Sequence, residues 1–181
     1  MKLNLPNKLT MLRVILVPFF VLFMLADFGF AGQKYVALGI FIVASLTDTL
    51  DGYLARKYKL ITNFGKFMDP LADKLLVCSA LICFVHTQAI PTWIVLIIIA
   101  REFVISGFRL VASDKGVVLA ASWWGKSKTI FQMVMVCVVI ASLPGAFFYW
   151  LQQILVYASL VLTVISLADY LYKNWFVMKD E

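Results

Sequence analysis

Two pairs of aspartates, set three and four residues apart, are the residues best placed to do chemistry. They occur as Asp48-Thr-Leu-Asp51-Gly52-Tyr-Leu-Ala55-Arg56, then eight residues, then Gly65-Lys-Phe-Met-Asp69-Pro-Leu-Ala-Asp73. At about 100° per helical residue, Asp48, Asp51 and Ala55 share one narrow face, and Asp69 and Asp73 share another on the next helix. Two such helices joined by a short turn are antiparallel neighbours, so their acidic faces can meet. Four converging carboxylates repel one another unless cations hold them together. Oxygen-only donors favour Mg²⁺ or Mn²⁺ over zinc, and two such ions balance four negative charges. Small residues at Gly52 and Ala55 leave room for a bulky ligand, Arg56 at the rim can grip phosphate, and Gly65 permits close approach. Taken singly, each glycine also suits tight helix packing; it is the set that points to a site.

A second charged set lies further along, as Arg101-Glu102-Phe-Val-Ile-Ser-Gly107-Phe-Arg109. Charges inside an apolar helix cost about 2.5–3.5 kcal/mol each at its centre, so they should face a bundle interior or a wet cavity. Glu102 and Arg109, seven residues apart, share a face. Either Arg101, Glu102 and Arg109 form a structural ion-pair group, or Arg109 meets an anionic acceptor. Gly125-Lys126-Ser127-Lys128-Thr129 adds two cations at the same level, which a membrane-flanking role explains as well as a binding one does.

Apolar helices must position these groups. The 181 residues are 63% hydrophobic and 14% charged, with a mean hydropathy of +0.94, whereas soluble domains carry about 25% charged residues. The expected fold is an all-α integral membrane protein forming one domain over residues 1–181. A short N-terminal interfacial amphipathic helix (1–13) precedes a bundle of six transmembrane helices (14–172) and a cytoplasmic tail (173–181). The spans are expected at about 14–28, 35–53, 65–85, 91–112, 129–143 and 148–172, with Pro91 opening the fourth and Pro144-Gly145 turning the chain before the sixth. Of the 16 Lys and Arg residues only Lys34 falls on the far side. That asymmetry puts both termini and the Asp48–Asp73 connection in the cytoplasm.

Other classes fit less well. The formal charge of +6 is dispersed along membrane flanks instead of gathered into a nucleic-acid surface. Cys78, Cys83 and Cys137 sit in apolar runs without paired spacing and read as small core residues. The first apolar run continues too far for a cleaved signal and is expected to remain as a span. The tryptophans fall near span ends, as interfacial belts do. A divalent-cation transporter needs acids along a path across the bilayer, and the far half has only Asp27 near its edge. An intramembrane aspartyl protease needs two acids and gives no role to Gly52, Ala55 and Arg56.

The eight fixed positions Asp48, Asp51, Gly52, Ala55, Arg56, Gly65, Asp69 and Asp73 resemble the signature of the CDP-alcohol phosphotransferase family without departure. This resemblance implies a dinuclear metal site held by Asp48, Asp51, Asp69 and Asp73, with Asp73 as general base, and a CDP pocket lined by Gly52, Ala55, Arg56 and Gly65. The opening Leu5-Pro6-Asn7-Lys8-Leu9-Thr10-x-x-Arg13, with the fourth- and fifth-span motifs, resembles the phosphatidylglycerophosphate synthase branch. Implied there are CDP-diacylglycerol as donor and sn-glycerol 3-phosphate as acceptor. Asn7 and Thr10, with Arg13, would close over the nucleotide, and Arg109, Lys126 and Lys128 would meet the acceptor phosphate. Another acceptor, such as inositol phosphate, serine or phosphatidylglycerol, is the alternative within the same chemistry. The family resemblance also implies a homodimer packed through its transmembrane helices in a bacterial cytoplasmic membrane.

Overall fold

The computed structural model describes residues 4–30, 32–58, 63–117, 119 and 122–175; within the helices, the side chains at 5, 6, 49, 51–56, 63–67, 69 and 70 are not among those described. The described regular structure is helical, in the order α1 (Leu5–Leu25), α2 (Gln33–Lys57), α3 (Asn63–His86), α4 (Thr92–Asp114), α5 (Trp123–Ala141) and α6 (Ala146–Asn174). Among the described residues, three stretches are long and apolar enough to cross a membrane: Asn7–Leu25, Trp123–Ala141 and Ala146–Asn174. Turn chemistry divides the last helices. Ser122 Oγ accepts from the Gly125 amide at 3.1 Å and caps α5. Gly145, at φ +114°, supplies the backbone conformation that lets the chain re-enter a helix at Ala146.

The N-terminal segment differs from the sequence expectation. Among the described residues no separate amphipathic helix precedes the first span; Leu5–Leu25 is one helix, with a proline in its first turn where no amide partner is lost. Its faces are also reversed. Asn7, Thr10 and Arg13 are buried and continue into buried Val17 and Phe20, while Met11, Leu12 and Ile15 face outward. In lipid the polar stripe turns inward, because hydrocarbon solvates Leu and Ile but not an amide or a guanidinium.

Two compact units result: α1 to α3 with residues Val139–Ser142, and α4, the remainder of α5, and α6. In the first, α1 is the hub on which both α2 and α3 pack; among the described residues α2 and α3 touch each other less. Ala37, Phe41 and Ala44 on α2, and Ala72, Leu76 and Ala80 on α3, make the buried stripes, whose small residues admit close helix approach. Phe20 and Phe41 meet with ring centroids 5.8 Å apart. In the second unit, α4 buries Ile94, Ile98, Arg101, Ile105, Phe108 and Ala112 along one seven-residue repeat and exposes Leu96, Phe103 and Leu110 along the opposite one. Phe108 packs edge-on against Tyr170 of α6 at 6.0 Å.

Candidate active site

In the first unit the site is built where α1 meets the C-terminal half of α2. Asp48 continues the buried Ala37–Phe41–Ala44 stripe by one turn, which aims its carboxylate at α1. Arg13, fully buried, answers from α1: Nη1 lies 2.8 Å from Asp48 Oδ1, and Nε donates to the Ala44 carbonyl at 3.2 Å. Thr47 Oγ1 donates to the same carbonyl at 2.6 Å. One arginine thus ties a backbone carbonyl and a carboxylate of α2 to α1. Thr10 and Asn7 lie on the same buried face, one and two turns nearer the N-terminus. Asp73, half-buried, stands on α3 within the same unit.

In the second unit the charges of α4 find partners on α5 and α6. Glu102 Oε1 accepts from Arg101 Nη1 at 3.1 Å and from Lys128 Nζ. Arg101 Nη2 donates to Ser166 Oγ at 2.6 Å. Two turns on, the exposed Arg109 donates from Nε to the Tyr170 hydroxyl at 3.4 Å, with its guanidinium 5.8 Å from the centre of that ring. Lys126 is exposed in the first turn of α5, whereas Lys128 is 2% exposed.

The sequence profile of the CDP-alcohol phosphatidyltransferase family matches residues 3–165. The chain belongs to that family. It is 42% identical to the CDP-diacylglycerol–glycerol-3-phosphate 3-phosphatidyltransferase of Bacillus subtilis, over 97% of each chain. It is 40% identical to the protein of that name from Haemophilus influenzae, over 94% of this chain and 93% of the relative. A third, from Rickettsia typhi, is 37% identical over 90% of this chain and 92% of its own.

For a CDP-alcohol phosphatidyltransferase the donor atoms on α2 and α3 suit a hard divalent cation. They are carboxylate oxygens, and Asp48, paired with the buried Arg13 guanidinium, keeps a side chain that is 40% exposed and open to a further partner. Asp51 and Asp69 share α2 and α3 with Asp48 and Asp73, and Gly52, Ala55, Arg56 and Gly65 lie on the same two helices; these six side chains are outside the described ones. Asn7, Thr10 and Asp48 are brought into one unit; Arg109, Lys126 and Lys128 into the other. The polar connection expected before the fifth span is shorter than its sequence implied, since α5 begins at Trp123 and carries Gly125, Lys126 and Lys128 in its first two turns.

Several residues escaped the sequence reading. Ser166 and Tyr170 on α6 hold the two arginines of α4, and Glu102 binds Lys128 as well as Arg101. A signal was present: Ser159, Thr163, Ser166 and Tyr170 recur at the spacing of one helix face within an apolar span, and all four are buried.

Proposed function

We propose that the chain spans the membrane six times and transfers the phosphatidyl group of CDP-diacylglycerol to sn-glycerol 3-phosphate, giving phosphatidylglycerophosphate and CMP. One observation carries this reading: the unbroken eight-position acidic motif lies on α2 and α3 of a chain 42% identical, over 97% of its length, to a relative named for that reaction. The Lys and Arg asymmetry puts the termini and the site at the cytoplasmic side of a bacterial membrane, with the lipid tails held in the bilayer. A homodimer is the expected assembly, as the resemblance implies.

Asp48, Asp51, Asp69 and Asp73 would hold two Mg²⁺ or Mn²⁺ ions, which when bound supply charge neutralisation at the donor pyrophosphate. Arg13 keeps Asp48 oriented. Asn7 and Thr10, with Gly52, Ala55, Arg56 and Gly65, enclose the cytidine and its phosphates. Arg109, Lys126 and Lys128 gather the acceptor phosphate, Arg109 being steadied by Tyr170. The acceptor's primary hydroxyl oxygen attacks the phosphatidyl phosphorus while its proton passes to a carboxylate oxygen of Asp73. The new P–O bond forms as the bond to CMP breaks, and CMP departs with that electron pair.

Purified protein supplied with CDP-diacylglycerol, Mg²⁺ and single alcohols tests this directly. The expected result is CMP release with sn-glycerol 3-phosphate. Release with inositol phosphate, serine or phosphatidylglycerol instead would move the chain to another branch of its family.

A further inference from the structure

At the end of the first unit away from Asp48, the ends of α1, α2, α3 and α5 enclose a cavity of about 230 Å³. Buried Phe84, Val139 and Ile140 form its floor, and exposed Lys34, Thr87 and Ser142 stand at its rim. Water held on such a floor would find no polar partner there, so hydrocarbon fills it better. The rim has the opposite need. Lys34 makes no ion pair among the described residues, and the acid of the neighbouring loop, Asp27, accepts from the Gly29 amide at 2.9 Å. Carbonyls at the helix ends are already served: Gln33 Nε2 donates to that of Ala26 at 2.5 Å, and the Ala89 amide to that of Phe84 at 2.9 Å. Gln33 also fixes the rim, because its Oε1 accepts from the Phe28 amide at 3.0 Å and ties the first turn of α2 to the end of α1. That turn has no acidic residue, and the amide end of α2 adds partial positive charge beside the Lys34 ammonium.

We propose that this cavity seats part of an anionic phospholipid from the leaflet opposite the reaction site, with its phosphate on Lys34 and one acyl chain against Phe84, Val139 and Ile140. The leaflet rests on the six-span reading above; the binding chemistry does not. Volume selects a part over a whole molecule. Pockets that enclose a small ligand measure about 300–1,000 Å³, whereas a lipid can leave its remaining bulk in the bilayer. The floor selects a lipid over a free anion, because one exposed ammonium holds a soluble phosphate weakly and each buried methylene strengthens the same contact. Charge selects an anionic lipid over a zwitterionic one. Of the 16 Lys and Arg residues, Lys34 is the one the sequence places on this side, and a head-group ammonium would be repelled by it.

Native mass spectrometry of the purified full chain, offered phosphatidylglycerol and phosphatidylcholine of matched chains, reads this without turnover. Wild-type protein should retain phosphatidylglycerol in preference. Lys34→Gln should weaken retention of that lipid about tenfold, to the level of phosphatidylcholine, as one lost bond to a charged group does. Lys34→Arg should keep the preference. Thr87→Trp, at the exposed rim, should block the cavity and lower retention of both lipids. Equal retention of the two lipids by the wild type, or an unchanged preference in Lys34→Gln, would overturn the proposal. So would displacement of the lipid by millimolar inorganic phosphate, which would make this a site for soluble anions, or a cavity that keeps detergent whatever lipid is supplied. If Lys34→Gln does not fold, Thr87→Trp must lower phosphatidylglycerol retention or the cavity is not the site. A Lys34→Cys variant labelled by an impermeant maleimide only from the cytoplasmic side would overturn the leaflet and the six-span reading together. Protein that ignores glycerol 3-phosphate yet keeps the lipid preference removes the transfer reading alone.

Discussion

Arg13 Nη1 sits 2.8 Å from Asp48 Oδ1, and it is the arginine, at 0% exposure, and not the carboxylate, at 40%, that has given up water. Such a pair is asymmetric. Asp48 keeps access to solvent, while Arg13 is further fixed by the Ala44 carbonyl. Its role is to set the position of that carboxylate relative to α1, the helix on which both α2 and α3 pack.

Arg13→Met should therefore lower stability by about 2 kcal/mol, the scale of a lost hydrogen bond to a charged group, and reduce kcat at least tenfold by freeing Asp48. Arg13→Lys keeps the charge but cannot serve the carbonyl and the carboxylate in the same forked geometry, so it should restore stability more than turnover. Thermal unfolding in detergent beside CMP release checks both; a Lys variant with full turnover would mean that charge alone suffices.

The carboxylates make two distinguishable demands. Chelation should abolish CMP release and added Mg²⁺ or Mn²⁺ should restore it, without unfolding the bundle. Asp73→Asn should lower kcat by about 10²–10⁴, the range for a lost general base, even at saturating metal. If high metal rescued that variant fully, Asp73 would be a ligand only.

Tyr170→Phe isolates a weak contact. The bond from Arg109 is long at 3.4 Å, and the edge-on packing against Phe108 survives the substitution. A bond at that distance contributes little, so KM for glycerol 3-phosphate should rise no more than about threefold and stability should change by under about 1 kcal/mol. Arg109→Ala should raise the same KM at least tenfold. Equal effects from the two variants would mean that the hydroxyl, and not the guanidinium, contacts the acceptor.

Helix number and order were legible because long apolar runs broken by Pro91 and Pro144-Gly145 leave few alternatives, and the acidic motif could be placed on α2 and α3 from spacing alone. Facing was harder. Leu9 and Leu12 beside Arg13 read as an interfacial amphipathic helix, yet the polar side of α1 is its buried side, since in a bilayer the sense of amphipathicity inverts. Partners were harder still. Lys128 in sequence is indistinguishable from the flanking Lys126, and only the packing of α5 shows that one is exposed and the other sits on Glu102. Periodicity specifies a face; which residue waits across from it depends on helix pairing that no local pattern encodes.

Gly125 offers a test in which two effects oppose. Replacing glycine by alanine within a helix gains about 0.5–1 kcal/mol of backbone propensity. Against this, a Cβ would stand 3.5 Å from Arg101 Nη2 and 3.6 Å from both Ser122 Oγ and Ser166 Oγ, distances of ordinary van der Waals contact. Nothing need move, so propensity wins: Gly125→Ala should leave the acceptor KM within about twofold and stability unchanged or slightly raised. Gly125→Val adds branches at that contact and loses helix propensity, and its methyl groups would press on the bond between Arg101 and Ser166. It should lower stability by about 1–3 kcal/mol. Thermal unfolding of the two variants side by side decides it: a valine variant with wild-type stability would show that Arg101 does not need this wall.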